Sequence, residues 1–300
     1  MPAAEALPHA CDERPLTLAV SGWEVPAALT LPAGARAGAE LPGAVLLVPG
    51  SLFSDVNGDY PTWNLFPHVY AHLARQLSAR GLAVYRFAKM GPGTGSVAVD
   101  EAASRAVRNW GGRLVVARAA LAAMRRALDA LGVRAARTVV AGHSEGAVVA
   151  SQLAAAAPEG ATVDGVVLLA GPSVGILGIM REQMATFFPP DELAGALADF
   201  DAAVAGMRRD GAIPETLRAR PALRGLASMP PDGVRYMLDS DAADPAALAA
   251  ALPQPVLIVQ GGRDPNVPPH HAERLRAARD GAGGARPTET LVVPELQHML

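Results

Sequence analysis

Residues 138–146 of the chain read TVVAGHSEG, an apolar run that leads into a serine with a glycine two positions away on either side. The run 138–141 predicts a buried strand, and the apolar pattern over 147–157 predicts a helix directly after the turn. Small residues around Ser144 permit a tight, strained turn that projects the serine hydroxyl from the edge of a sheet. The pattern predicts a nucleophile at Ser144, and the alternative is an ordinary glycine-rich turn. His143 is not predicted as its base, because its place in the turn points its side chain away.

Short, continuous apolar runs recur along the chain, as expected for strands buried on both faces. Besides 138–141, they lie at 44–48, 83–87, 166–170 and 256–260. A hairpin pattern precedes them, and helical patterns separate them at 69–79, 114–131 and 147–157. Alternating strands and helices predict an α/β fold with a mostly parallel central sheet that is flanked by helices on both sides.

The alternation stops after residue 171, where the sequence becomes helical and no strand-like run appears until residue 254. The proline pairs Pro189-Pro190 and Pro230-Pro231 divide this stretch into short helices. We interpret it as an inserted helical lid, or cap. The predicted organisation is a flexible leader at 1–14, a core at 15–171 and 254–300, and the lid at 172–253.

Three apolar side chains of the predicted lid, Met184, Phe187 and Phe188, are our candidates for a pocket wall. Methionine and aromatic residues commonly line sites for small molecules. The alternative is that they pack the lid helices onto the core. Such a wall predicts a small-molecule acyl substrate with an apolar portion.

A serine hydroxyl is a weak nucleophile at neutral pH, so it needs a base within hydrogen-bond reach and a group that orients the base. Asp264 directly follows the predicted strand 256–260, and His298 follows the last strand-like run, 291–293. Both belong at the same carboxyl edge of the sheet as Ser144. We predict His298 as the base and Asp264 as the acid that orients it, although an aspartate in such a loop is often only a turn former. The other histidines are interpreted as surface or packing residues.

Acyl transfer also needs hydrogen-bond donors aimed at the developing oxyanion. The loop 49–52 follows the predicted strand 44–48 and can offer the backbone N–H of Ser51. The N–H of Glu145, directly after the nucleophile, is the second predicted donor of this oxyanion hole. The hydroxyl of Ser51 is not predicted as a second nucleophile, because no base lies near it in the sequence.

Composition argues against several other classes of function. The net charge is −3, the arginines are scattered and Lys89 is the only lysine, so no nucleic-acid partner is predicted. A lone Cys11 cannot form an internal disulfide. The opening residues lack the apolar region of a secretory signal, and the longest apolar stretch is broken by proline and glycine. We therefore expect a cytoplasmic protein with no membrane association.

No cofactor and no metal are predicted. The glycine-rich stretch 91–95 follows a predicted strand but lacks the spacing of a dinucleotide fingerprint. The polar loop around Gly58 lacks the glutamate that closes a calcium-binding loop.

With these motifs in place, the chain resembles the α/β-hydrolase superfamily, in particular bacterial esterases near the serine aminopeptidase branch. The resemblance runs from about residue 15 to residue 300 and implies a hydrolase of esters, thioesters or amides that uses neither metal nor cofactor. The order serine, acid, histidine is that of the family. Relatives carry an aspartate and an arginine where this chain has Ala88-Lys89-Met90, so we expect an altered pocket wall or loop support there. The resemblance rests on residues 46–51, 73–74, 80–81, 91–96, 142–146, 169–172, 262–264 and 267–268.

The function expected from the sequence is a serine hydrolase that cleaves a carboxylic ester or thioester through an acyl-enzyme on Ser144. A peptidase or amidase, or an acyltransferase or cyclase of a biosynthetic pathway, would use the same three residues. A ligand-binding protein without catalysis is the alternative from another class. Because one fold hosts many activities, the fold does not fix the substrate.

Overall fold

The computed structural model describes residues 11–156, 162–283 and 287–299. A central sheet of 9 strands forms the middle layer, and β3 pairs separately with β7. The strands are β1 (Cys11–Val20), β2 (Trp23–Pro32), β3 (Glu40–Leu41), β4 (Ala44–Val48), β5 (Ala83–Phe87), β6 (Val97–Ala98), β7 (Arg134–Ala135), β8 (Thr138–His143), β9 (Gly165–Leu169), β10 (Val256–Gly261) and β11 (Thr288–Val293).

Helices flank the sheet and fill the long connection between β9 and β10. They are α1 (Val69–Ser78), α2 (Glu101–Ala106), α3 (Trp110–Ala130), α4 (Glu145–Ala155), α5 (Ile176–Phe187), α6 (Pro190–Asp210), α7 (Arg224–Ala227), α8 (Pro231–Asp241), α9 (Pro245–Ala251) and α10 (His270–Gly281).

The central sheet has the order β1-β2-β5-β4-β8-β9-β10-β11, with β6 beside β2. The strands from β5 to β11 in this order run parallel, whereas β1, β2 and β5 are joined by antiparallel pairing. The predicted mostly parallel sheet is confirmed. Because parallel strands end at one edge, the loops after β4, β8, β10 and β11 meet there.

Both faces of the sheet are buried, as the continuous apolar strands predict. Alternate residues of β4 enter opposite layers: Leu46 and Val48 pack in the cluster that contains α3 and α4, while Val45 and Leu47 pack against α1. Successive side chains of a strand point to opposite faces, so an uninterrupted apolar run is what a covered strand requires.

The segment between β9 and β10 is helical, as its sequence predicts, but it has two parts. Helices α5 to α8 share a hydrophobic cluster of their own. Helix α9 instead contributes Ala249 to the cluster of the core, and it packs against α4 and α10. The part that is separate from the core therefore ends before α9 and is shorter than the predicted lid, 172–253.

The chain start also differs from the prediction. Strand β1 begins at Cys11, so residues 11–14 belong to the hairpin with β2 and not to a flexible leader. The remainder of the predicted leader, residues 1–10, lies outside the described residues. Polar residues of β1 are accommodated because this strand is at the edge of the sheet.

Candidate active site

Ser144 lies on a sharp turn between β8 and α4. Its φ is 55° and its ψ is −125°, a combination that non-glycine residues rarely adopt and that is found at strained functional sites. A Cβ at Gly142 would lie 2.1 Å from the carbonyl oxygen of Gly146, and a Cβ at Gly146 would lie 2.4 Å from that of Val48. The N–H of Ser144 donates to Leu169 at 2.8 Å and joins the turn to β9. The turn closes only because both flanking residues are glycine.

Asp264 and His298 meet in the loops after β10 and β11. The Nδ1 of His298 is 2.8 Å from Oδ2 of Asp264, and both side chains are buried. Oδ1 of Asp264 accepts the backbone N–H groups of Asn266 and Val267, each at 2.8 Å. Burial raises the pKa of Asp264, but His298 and the two N–H donors outweigh this effect and lower it. An ionised Asp264 only accepts, so Nδ1 of His298 carries the proton and Nε2 is left as an acceptor in the neutral ring.

A single large cavity brings these groups together. Ser144 and His298 both line it, as do Ser51 and Glu145, and its volume is about 1250 Å³. Within the described ranges, no hydrogen bond joins the hydroxyl of Ser144 to His298. Catalytic hydrogen bonds are often long in the absence of substrate and tighten when it binds.

His143 has both ring nitrogens occupied by other groups. Its Nε2 lies 2.8 Å from the backbone oxygen of His298, and its Nδ1 lies 3.0 Å from the hydroxyl of Tyr70. A carbonyl oxygen only accepts, so Nε2 carries the proton and Nδ1 accepts from Tyr70. The same hydroxyl accepts the N–H of Gly50 at 3.1 Å. Burial, followed by the charge of His298, lowers the pKa of His143 to about 4, and the ring is neutral at pH 7. No feature of the sequence predicts this chain of contacts.

The side chain of Glu145 lies at the centre of a buried polar cluster. Its carboxylate is 3.4 Å from Nζ of Lys89 and 3.3 Å from Nε of Arg113. It also accepts the hydroxyls of Tyr236 at 2.7 Å and Ser51 at 3.2 Å. Burial raises the pKa of Glu145, but the two cations and the two hydroxyls outweigh it and hold the pKa at about 2. Burial lowers the pKa of Lys89 to about 8, and Arg113 adds to this shift. Two positive charges therefore face one carboxylate on the cavity wall.

Comparison with known families identifies the family of this chain. The model of the alpha/beta hydrolase family matches residues 45–300, a range that includes Ser144, Asp264 and His298. The chain belongs to the α/β-hydrolase family. No curated protein matches it.

Solved structures share this α/β-hydrolase fold at low sequence identity. A Pyrococcus furiosus esterase is 13% identical with a TM-score of 0.56, and the match covers 96% of this chain and 83% of that one. A Mycobacterium tuberculosis puromycin-hydrolyzing peptidase is 21% identical with a TM-score of 0.56, over 95% of this chain and 36% of that one. A Pyrococcus horikoshii acylaminoacyl peptidase is 12% identical with a TM-score of 0.57, over 97% of this chain and 38% of that one. This chain therefore spans less than half the length of either peptidase.

The cavity wall differs from the one predicted for this α/β hydrolase. Met184 and Phe188 pack in the cluster shared by α5 to α8, and Phe187 is 74% exposed, so the prediction that these three residues line the pocket is wrong. Met184 follows Met180 and Phe187 follows Gln183 by four positions, so these pairs share a side of α5, and position along the helix decides which residues line the cavity. The cavity wall extends along α5 only as far as Gln183, and the helix ends at Phe187. The face of α5 that lines the cavity carries Ile176, Ile179, Met180 and Gln183.

One group of side chains in the described ranges could hold a metal ion: Glu182 of α5 with His270 and His271 of α10. Nδ1 of His271 accepts the backbone N–H of Ser173 at 3.2 Å, so its proton is on Nε2, which donates to Glu182 at 2.9 Å. A metal would need that nitrogen unprotonated. Arg274 also lies 3.4 Å from the same carboxylate. We interpret the group as a hydrogen-bonded α5–α10 link between the helical segment and the core.

Across the described residues, no helix combines the length and the apolar character that crossing a bilayer would require.

Proposed function

We propose that this α/β hydrolase cleaves a carboxylic ester or thioester through an acyl-enzyme on Ser144. The observation that carries the proposal is a strained serine that shares one cavity with a histidine held by a buried carboxylate. A nucleophile, a base and a group that orients the base are the parts that acyl transfer requires. Each comes from a loop at the same edge of the sheet.

In the proposed first step, Nε2 of His298 takes the proton of the Ser144 hydroxyl as Oγ bonds to the acyl carbon. Asp264 keeps Nδ1 protonated, stabilises the imidazolium and stays ionised. The oxyanion accepts hydrogen bonds from the backbone N–H groups of Ser51 and Glu145. When the tetrahedral intermediate collapses, the proton on Nε2 passes to the leaving alcohol or thiol and the acyl group remains on Ser144.

Water then repeats the sequence. His298 takes a proton from the water as its oxygen attacks the acyl-enzyme, and the same two N–H groups bind the second oxyanion. The proton returns to Oγ of Ser144, the acid product is released and the enzyme is regenerated.

We propose that helices α5 to α8 act as a lid over this site. Met180 of α5 and Tyr236 and Met237 of α8 are part of the cavity wall, while these helices pack around a cluster of their own. Ligand cavities commonly measure about 300–1,000 Å³. The cavity of about 1250 Å³ is larger, and its wall is mostly apolar, which favours an acyl substrate with a bulky apolar portion.

Amide hydrolysis is the second candidate, because peptidases occur beside esterases among the structural neighbours. Rates for an ester and an amide of the same acyl group would separate the two. An acyltransferase or cyclase would instead transfer the acyl group to an added alcohol or amine, which product analysis detects. The cytoplasmic location stays a prediction of the sequence.

Labelling with a fluorophosphonate, followed by mass spectrometry of the intact protein, tests the proposal. We expect a single adduct on the wild-type chain and none on Ser144→Ala. Ser96→Ala is the matched control, because Ser96 also lines the cavity. An adduct that persists in Ser144→Ala would contradict the nucleophile assignment. A well-folded wild-type protein that takes no label would favour a binding protein without catalysis.

A further inference from the structure

Two cations hold the loop that follows β4. Nη2 of Arg113 donates to the carbonyl oxygens of Pro49 at 2.5 Å and Gly50 at 3.2 Å. Nζ of Lys89 donates to the carbonyl of Gly50 at 3.3 Å. Both cationic side chains are almost fully buried. Because hydrogen bonds from charged donors are stronger than neutral ones, these contacts fix the orientation of both peptide groups.

The peptide group between Gly50 and Ser51 has a direct relation to the reaction. It is trans, as are all described peptide bonds, so the carbonyl of Gly50 and the N–H of Ser51 point in opposite directions. Holding that carbonyl toward Lys89 and Arg113 therefore turns the N–H away from them. This loop touches the nucleophile, because a Cβ on Gly50 would lie 3.2 Å from the Cβ of Ser144.

Glu145 connects the same cations to both proposed oxyanion donors. Its carboxylate pairs with Lys89 and Arg113 and accepts the hydroxyl of Ser51, whose backbone supplies one donor. Its own backbone N–H is the other. Two cations and one carboxylate also leave a net positive charge beside the place where negative charge develops, and this stabilises the transition state.

We propose that Lys89 and Arg113 are positioning residues: they hold the Gly50 carbonyl so that the N–H of Ser51 faces the oxyanion. This inference rests on the proposed acyl-transfer function. It assigns the buried cations a role in turnover that goes beyond supporting the fold.

The charge of Lys89 supports a dependence on pH. The charged and titratable groups that face it are Arg113 from α3, Glu145 from α4 and the ring of Tyr236 from α8. Burial and Arg113 lower its pKa to about 8 against the opposing pull of Glu145. Above that pH, a neutral Lys89 is a weaker donor to Gly50, so turnover falls. An arginine at this position keeps its charge throughout.

The test measures kcat and KM for a p-nitrophenyl ester, and the inhibition constant of a trifluoromethyl ketone that forms a tetrahedral adduct with serine. Loss of a whole oxyanion donor lowers kcat by about 10²–10³-fold. For Lys89→Met and Arg113→Met, which misalign one donor, we expect a fall of about 10–100-fold in kcat with little change in KM. The inhibition constant should weaken by the same factor as kcat/KM. In Lys89→Arg, the alkaline loss of kcat should move to higher pH.

Arg279→Met is the matched control. Arg279 is buried in α10 and donates to the carbonyl oxygens of Ala249 and Leu252, away from the cavity. Its replacement should lower stability and leave kcat and the inhibition constant unchanged. A purely structural role for the two cations predicts equal effects in all three methionine variants.

The outcomes separate this inference from the function on which it rests. A wild-type enzyme with serine-dependent turnover and unchanged kcat in Lys89→Met and Arg113→Met would overturn the positioning role alone. Equal losses in Arg279→Met would overturn it as well. Wild-type turnover that does not depend on Ser144 would contradict the proposed function itself. If Lys89→Met does not fold by circular dichroism, Arg113→Met and the pH profile of Lys89→Arg decide the question.

Discussion

The ring of His143 donates a hydrogen bond to the backbone carbonyl of His298 over 2.8 Å. The centroids of the two rings lie 4.9 Å apart. Nδ1 of His298 lies 2.8 Å from Oδ2 of Asp264. The proposed base is thus fixed through its side chain by one residue and through its backbone by another. The histidine beside the nucleophile supports the loop of the base.

Removal of the Tyr70 hydroxyl should weaken both the fold and the reaction. Tyr70→Phe leaves the N–H of Gly50 and Nδ1 of His143 without their partner, and each buried, unsatisfied group costs about 1–3 kcal/mol. We expect urea unfolding to show a loss of about 2–6 kcal/mol together with a lower kcat. Tyr85→Phe is the control, because Tyr85 is equally buried and its hydroxyl bonds to no described residue. Equal stability losses in both variants would contradict the network.

The protein should lose stability in mild acid because of its buried histidines. Burial lowers the pKa of His143 from 6.5 to about 4, and burial also lowers the pKa of His271. Between pH 6.5 and about 4, His143 is protonated in the unfolded chain and neutral in the folded protein, so the unfolded chain binds more protons. The stability present above pH 6.5 is therefore lost as the pH falls toward 4. His143 alone contributes roughly 3 kcal/mol to this loss. Urea unfolding at several pH values should show a shallower decline for His143→Gln, and an identical decline would refute the assignment.

The preferred substrate size should depend on the residues of α5 that line the cavity and not on the end of the helix. Met180→Trp adds volume to the cavity wall, so the preferred p-nitrophenyl ester should shift to a shorter acyl chain. Phe187→Ala, at the exposed C-terminal end of the same helix, should leave the chain-length profile unchanged. A shift with Phe187→Ala and none with Met180→Trp would instead support the pocket wall predicted from the sequence.

The α5–α10 link should hold α5 against the core. Glu182→Gln removes the charge that faces His270, His271 and Arg274, and hydrogen exchange of the α5 amides should become faster. Asp201→Asn is the control, since it breaks an exposed ion pair of Arg181 on the same helix, and such pairs contribute about 0–1 kcal/mol. Equal exchange rates in the two variants would show that the α5–α10 link stabilises α5 no more than an exposed ion pair does.

Most of the sheet could be predicted from the sequence, because strands buried on both faces leave an unbroken apolar signal. The predicted strands at 44–48 and 83–87 match β4 and β5 residue for residue. The two-residue strands β3, β6 and β7 escaped prediction, because so short a run has no periodicity. The start of β1 was missed because its polar residues lie at a sheet edge.

Only those residues of the candidate site that follow a recognisable local sequence pattern could be predicted. Ser144, Asp264 and His298 each follow a strand, and their proximity comes from parallel topology, while their catalytic roles stay predictions. The expected change in loop support at Lys89 has a physical counterpart in its contact with Gly50. Its pairing with Glu145 joins residues 56 positions apart, and no periodicity encodes such a contact.

The most direct test of the account is to quench the enzyme in acid during early turnover of a p-nitrophenyl ester and map the acyl group by mass spectrometry. We predict a burst of p-nitrophenol equal to the enzyme concentration, with the acyl group on the peptide that contains Ser144. The Ser144→Ala variant should show neither, and its kcat should fall by at least about 10⁴-fold. Turnover without an acyl adduct, or an adduct on another residue, would contradict the central claim.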